Sequence, residues 1–296
     1  MYNIIQKRQY WFILSAVLII PSIVFIALGG LKFNIDFTGG TIWQLRFSET
    51  APAPAEIESV LGQFNLGEIR AQRAEDNSAV IRLKPIDNET RQSILDALNS
   101  QYPGVTETSF ESVGPTIGEE LKRRALVAIA LVLAAIILYV TWAFRKVTKN
   151  VGIPSWVMGL SAIIALVHDL LIIVGVFAAL GYFMNVEIGA LFVTALLTIL
   201  GFSVHDTIVV FDRVRENVLH GRGGSFADSV NRSVNQTIVR SLNTSLTTLF
   251  VLVVLYLFGG ASIQWFVFAM IIGIIIGTYS SIFIASPLLV MWKRKA

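Results

Sequence analysis

The stretch "GFSVHDTIVVFDR", residues 201–213, is apolar enough over most of its length to sit in a bilayer, yet it sets His205 beside Asp206. An ionisable side chain at the centre of a membrane helix costs about 2.5–3.5 kcal/mol even on the lenient insertion scale. Side chains that expensive are kept where they face protein or a polar cavity. The stretch therefore argues for a membrane-spanning helix and, equally, for a helix bundle around it.

The rest of the chain can supply that bundle. Of its 296 residues 54% are hydrophobic and 15% charged, and the mean hydropathy is +0.68, outside the range of soluble globular proteins. Apolar runs long enough to cross about 30 Å of hydrocarbon occur at residues 10–30, 125–144, 155–183, 188–211, 241–258 and 263–292. Six transmembrane helices are expected. The first run follows Lys7 and Arg8 and includes Ala27-Leu28-Gly29, which faintly resembles a cleavage site. Its apolar length exceeds the roughly 7–15 residues of a signal-peptide core, so it is read as a retained anchor. The net charge of +3 is spread through short loops with no aromatic-interleaved basic patch, which disfavours nucleic acid as a partner. Cysteine is absent, so disulfide and thiol chemistry are excluded.

Lys and Arg in short loops set orientation. With the N-terminus cytoplasmic, the inner segments carry Lys7 and Arg8; Arg145, Lys146 and Lys149; Arg213, Arg215, Arg222, Arg232 and Arg240; and Lys293, Arg294 and Lys295. The short outer loops 181–187 and 259–262 carry none. Lys122, Arg123 and Arg124 run against the bias, but they end a long exported segment, 31–124, whose translocation is less governed by it. Within that segment the pattern predicts strand 41–47, helix 54–64, strand 68–73, a turn at Glu75-Asp76-Asn77, strand 79–83, helix 88–101 with Asn88 as N-cap, and strand 105–113. The order βαββαβ is the ferredoxin-like arrangement, a scaffold that specifies no activity by itself. The fold class expected is thus a polytopic α-helical membrane protein with one exported α+β domain between its first and second spans.

Between the fourth and fifth spans, in a cytoplasmic loop 212–240, Gly221-Arg222-Gly223-Gly224 reads as a flexible turn. Phe226, Val230, Val234 and Ile238 then recur every four residues. The spacing predicts a short amphipathic helix, either on the inner membrane surface or packed on the spans.

Ionisable side chains lie deep in two spans only: His168 with Asp169, and His205 with Asp206. Neighbours on a helix diverge by about 100°, so at least one of each pair is expected to face a different partner. Small residues flank Asp206 on its helix, which turns it toward the bundle. Arg240 enters the fifth span from the same side, ahead of Asn243, Thr244, Thr247 and Thr248. A nearby cation and burial pull a carboxylate in opposite directions, the balance a proton carrier needs. Asp206, Arg240, His205, Asp169 and His168 are the proton-transfer candidates; interhelical hydrogen-bonding is the alternative role for the polar groups. No His-x3-His ligand pair supports a metal site. Neither a G-x4-G-K-[ST] phosphate loop nor a G-x-S-x-G or H-E-x-x-H motif is present, so neither enzyme chemistry nor a cofactor is expected, with protons the only coupling ion. Thr38-Gly39-Gly40 reads as a tight turn, with a phosphate cradle as the weaker alternative.

"FNIDFTGG" after the first span, "VGPTIGEELKRRA" into the second, "ALVHD" in the third, "GFSVHDTIVVFDRVREN" closing the fourth and "QTIVRSLNTSLTT" opening the fifth together resemble the SecD/SecF family of bacterial protein export. The resemblance runs through nearly the whole chain, and the Asp36, Phe37, Thr38, Gly39 and Gly40 stretch is its structural motif. It implies half of a resistance-nodulation-division (RND) type transporter in the bacterial inner membrane, with SecD as the other half. The further implied partners are the SecYEG channel, YajC, exported unfolded polypeptide and membrane lipids. It implies use of the proton motive force to draw polypeptide from the channel, with Asp206 moving protons and Arg240 as the arginine of the fifth-span motif. The residue before the aspartate is usually asparagine in the family, and here it is His205. A half-transporter for lipid or drug and a passive channel scaffold are the alternatives.

Overall fold

The computed structural model describes residues 2–74, 76–145, 154–220 and 224–293. Glu75 of the expected turn, Lys146 and Lys149, Gly221-Arg222-Gly223, and Arg294 with Lys295 lie outside the described residues. The helices are α1 (Arg8–Ala27), α2 (Pro54–Leu61), α3 (Asn88–Gln101), α4 (Pro115–Ala143), α5 (Ser155–Met184), α6 (Ala190–Leu219), α7 (Phe226–Phe258), α8 (Ala261–Ser280) and α9 (Ser286–Lys293). A four-stranded sheet is built from β1 (Gly40–Arg46), β2 (Arg70–Arg73), β3 (Ser78–Leu83) and β4 (Thr106–Val113). The chain divides into two compact units, Phe33–Ala125 and Met1–Lys32 with Leu126–Ala296.

The first unit runs strand, helix, strand, strand, helix, strand, and its sheet order is β2-β3-β1-β4 with every neighbour antiparallel. Alternation along β1 and β3 explains the burial. Trp43 and Leu45 of β1 and Ala79 and Ile81 of β3 are fully covered, and they meet Ile57 and Leu61 of α2 and Ile94 and Leu98 of α3. Each large apolar side chain so covered contributes about 1.5–3 kcal/mol. β4 is the exposed edge, held by Thr41 against Ser112 across the pair and by Glu107, which accepts from the Trp43 indole at 2.8 Å and pairs with Arg91. The N-cap of α3 is Asp87 and not Asn88. Asp87 has the extended backbone a cap requires, and its side chain accepts from the Thr90 N–H at 2.8 Å, leaving Asn88 as the first helical residue.

The motif at 36–40 closes this unit. Ile35–Thr38 forms a single helical turn whose N-cap, Asn34, accepts from the Asp36 N–H at 2.9 Å. Gly39, at φ +71°, then turns the chain into β1, and a Cβ there would lie 2.8 Å from Pro115 Cα at the start of α4. Phe37 is buried. The turn packs backbone against backbone, and that close approach is what its glycine permits.

The second unit is helical. Six helices among the described residues are long and apolar enough to cross a membrane: α1, α4, α5, α6, α7, and a last one formed by α8 and α9 joined through a π turn at Ser281–Ala285. About half of α5, α6 and this last helix is buried within the chain, against little of α1, α4 and α7. Small residues set the closest crossings. A Cβ on Gly175 of α5 would overlap Ser22 of α1, and one on Gly277 of α8 would lie 2.9 Å from the Ser203 Cβ on α6.

The stretch 212–240 is not a loop carrying a separate surface helix. α6 continues to Leu219 and α7 begins at Phe226, so the four-residue repeat belongs to the fifth span itself. Val230 and Val234 are fully buried against Ile4, Ile5, Val210 and Val214. The Asn231 side chain accepts from the Ile4 and Ile5 N–H groups at 3.0 and 3.1 Å, tying down the chain that leads into α1. Ser225 and Asp228 form the capping box that starts the helix there.

Candidate proton site

Asp206 sits on the face of α6 that also carries Ser203 and Thr207; the three are 3%, 0% and 1% exposed. His205, one residue earlier, is exposed, as the 100° offset between neighbours requires. Around the Asp206 carboxylate stand the side chains of Ser241 on α7 and Thr278 on α8, with His205 and Arg240 as the neighbouring basic residues. Its Oδ2 is buried and has no hydrogen-bond partner among the described residues, and the buried Ser241 hydroxyl has none either. Arg240 is exposed and makes no ion pair with Asp206. It lines a cavity of about 460 Å³ between α6 and α7, together with Asp212, Arg213, Glu216, Gln236 and Thr237. Arg213 pairs there with Glu216 at 2.5 Å and donates to Gln236 at 2.6 Å. Val209, which also lines this cavity, stands three residues after Asp206 on α6, so the charged, polar space comes within about one helical turn of Asp206.

His168 and Asp169 behave differently. Both are buried, and the two side chains close on each other, His168 Nδ1 to Asp169 Oδ1 at 2.9 Å. The imidazole reaches across the offset between neighbours, while each side chain also faces a different partner, as expected. Asp169 Oδ2 accepts from Ser203 of α6 at 2.7 Å and from Ser280 of α8 at 2.8 Å. His168 Nε2 lies 3.0 Å from Ser15 of α1, and Tyr279 stacks over the ring with centroids 6.1 Å apart.

These contacts belong to a layer of hydroxyls that crosses the bundle. Ser245 of α7 meets Thr278 of α8 at 2.5 Å, and Thr207 of α6 meets Ser281 at 2.9 Å. Ser203 stands one turn before Asp206 on α6 and is bonded to Asp169. The π turn falls where Ser280 and Ser281 enter it, and Ser286 satisfies the Ser281 carbonyl at 2.9 Å. Pro287 offers no N–H to the helix behind it, which favours local widening. The five candidates are therefore not brought to one point: His168 and Asp169 form one cluster, Asp206 with Arg240 nearby forms another, and His205 faces outward. Among the described residues no three His, Asp or Glu side chains converge as metal ligands. Sequence reasoning passed over Ser15, Ser203, Ser280, Ser281 and Tyr279. Ser203 was findable, since it stands three residues before Asp206 and so shares its helix face.

The family model for the SecD/SecF protein-export membrane protein, C-terminal region, matches residues 93–295. The protein translocase subunit SecF of Thermobaculum terrenum is 46% identical over 307 residues, covering 100% of this chain and 95% of that one. The SecF of Anaerolinea thermophila is 40% identical and covers 99% and 94%. A longer relative, the translocase subunit SecDF of Thermus thermophilus, is 38% identical over 90% of this chain and 35% of its own length. The crystal structure of a Thermus SecDF, a translocon-associated membrane protein, superposes with a TM-score of 0.80 at 35% identity. That match takes in 99% of this chain, which spans 39% of the SecDF chain.

Proposed function

Because this chain belongs to the SecD/SecF protein-export family, we propose that it couples proton movement to the passage of exported polypeptide. Asp206 is the carboxylate that gains and loses the proton, and Arg240 balances its charge when it is ionised. The observation that carries this reading is the environment of Asp206: a carboxylate 3% exposed, one oxygen without a hydrogen bond, one turn from a charged cavity. An unpaired buried charge is costly, so the neutral form suits the present packing. The ionised form calls for Arg240 to move in. One proton falling through 100 mV supplies about 2.3 kcal/mol, comparable to the cost of placing the carboxylate in the membrane. That is enough to bias a bundle between two packings.

The other half of the transporter docks on the flank where α6 and α7 leave Thr194, Thr198, Gly201 and His205, and Arg240, Asn243, Thr244 and Thr247, exposed within this chain. SecD is that half; the fused SecDF relative carries both in one polypeptide. Residues 33–125 form a ferredoxin-like domain on the outer face of the bacterial inner membrane, with both termini cytoplasmic, as the Lys and Arg bias favours. This domain moves with the bundle and holds polypeptide emerging from the SecYEG channel, with YajC as an accessory partner. Replacing Asp206 by Asn abolishes the gradient-dependent stage of export while SecD still co-purifies. Unchanged export by that variant overturns the assignment.

A further inference from the structure

The cluster around His168 carries a proton count of its own. Tyr279 has one hydroxyl proton, and it is donated to the Trp11 carbonyl at 2.8 Å, a group that only accepts. The contact between Tyr279 and Ser15 at 3.2 Å is therefore made by the Ser15 proton. Ser15 then has none left for His168, so at 3.0 Å it accepts from Nε2–H. On the other side of the ring a second proton lies between Nδ1 and Asp169 Oδ1. Asp169 Oδ2 is already an acceptor from Ser203 and Ser280. With Nε2 protonated and one proton shared between Nδ1 and Oδ1, the pair is neutral overall, whether written as imidazolium with carboxylate or as imidazole with carboxylic acid.

We infer that His168 and Asp169 form a second proton-holding site, whose charge state is set by the direction of the hydrogen-bond chain through Ser15 and Tyr279. If Tyr279 turns its proton from the Trp11 carbonyl to Ser15, Ser15 donates to Nε2 and the chain reverses. The Nε2 proton is then surplus and leaves to bulk water, and the pair carries one negative charge in which Nδ1–H donates to the carboxylate. One hydroxyl rotation thus distinguishes two states that differ by one proton. The ionisable group facing the pair is Tyr279 from α8; from α6 the pair meets the Ser203 hydroxyl. On α1, Ser15 is the polar contact, and Tyr10, five residues before it, is exposed. The site goes beyond the role given to Asp206 and stands without it.

The test uses the full chain in lipid nanodiscs with 15N-labelled histidine, read by solid-state NMR; three histidines are present, and His205→Asn and His220→Asn variants assign the His168 signals. Over the range in which the protein stays folded, raising the pH should take the Nε2 signal from protonated to unprotonated. Tyr279→Phe frees the Ser15 proton to donate to Nε2, which favours the deprotonated state. The transition should then move down by about one pH unit, a tenfold loss of proton affinity. In Asp206→Asn the transition should persist, so failure of the Asp206 assignment and failure of this one are separable. A His168 ring fixed in one state across the whole range overturns the proton-holding site. A transition unmoved in a folded Tyr279→Phe protein overturns the chain that sets it.

Discussion

Asp206 and Asp87 show what one carboxylate does in two settings. Asp87 is solvent-exposed, and the Thr90 backbone N–H, followed by its hydroxyl, holds its carboxyl below the usual carboxylate range. Because the folded form has the lower pKa, the stabilisation it gives α3 is present above the unfolded-chain value near 3.8 and is lost as pH falls through the folded value. Hydrogen exchange should therefore find the first-turn amides of α3 protected at neutral pH and unprotected once Asp87 is protonated. In Asp87→Ala that protection should be missing at every pH. Asp206 has the opposite surroundings, buried beside hydroxyls and without a backbone N–H to hold it ionised, which is the setting the proposed proton exchange calls for. The sequence already placed an acid at both positions. It did not reveal which of Asp87 and Asn88 caps the helix, because both are good caps and only the backbone angle separates them.

Among the elements, strands and helices with one strong period were readable in advance. β1 alternates cleanly through Trp43 and Leu45, and α3 shows both a cap and a Pro103-Gly104 stop. The continuous α7 was not, because its N-terminal half is polar on one side and its apolar repeat looks like an independent amphipathic helix. Only the partners of Val230 and Val234, from segments more than 200 residues away in sequence or on the neighbouring α6, reveal it as part of the span. The π turn had no period to betray it, and Ser280 and Ser281, where it begins, look unremarkable until their partners on α5 and α6 are known. The α6–α8 crossing depends on Gly277 in the same way. Gly277→Val drives a branched side chain into Ser203, and overpacking of this kind costs about 1–3 kcal/mol. Thermal unfolding in detergent should show that loss, along with weakened protection of the hydroxyl layer; a variant as stable as the parent would mean the crossing is looser than its geometry.

At the scale of the whole molecule, the buried and open flanks divide the labour. The buried flank of α6 meets α8, while its other flank shows Thr194, Thr198 and Gly201 to the outside. Thr194 and Thr198 donate to the Ala190 and Thr194 carbonyls at 3.1 and 2.8 Å, which removes much of the cost of facing lipid but leaves their oxygens able to accept from a neighbour. A Cβ on Gly201 would meet nothing within 4 Å in this chain. Gly201→Leu should thus leave the isolated subunit as stable as the parent yet lower the amount of SecD that co-purifies with it. Equal recovery of SecD would place the partner on another flank. The six spans and the strand-helix order of residues 33–125 could be read from composition and periodicity alone. The separation of the two histidine-aspartate pairs could not, since it depends on which side chains other helices bring to each.

The central claim is that Asp206 changes protonation during work, and infrared spectroscopy of the carboxylic C=O stretch tests it most directly. In SecD-containing proteoliposomes, a band absent from the Asp206→Asn variant should rise and fall as the proton gradient is imposed and collapsed with an ionophore. A band that stays constant under both conditions, in liposomes that still export polypeptide in a gradient-dependent way, would contradict the account.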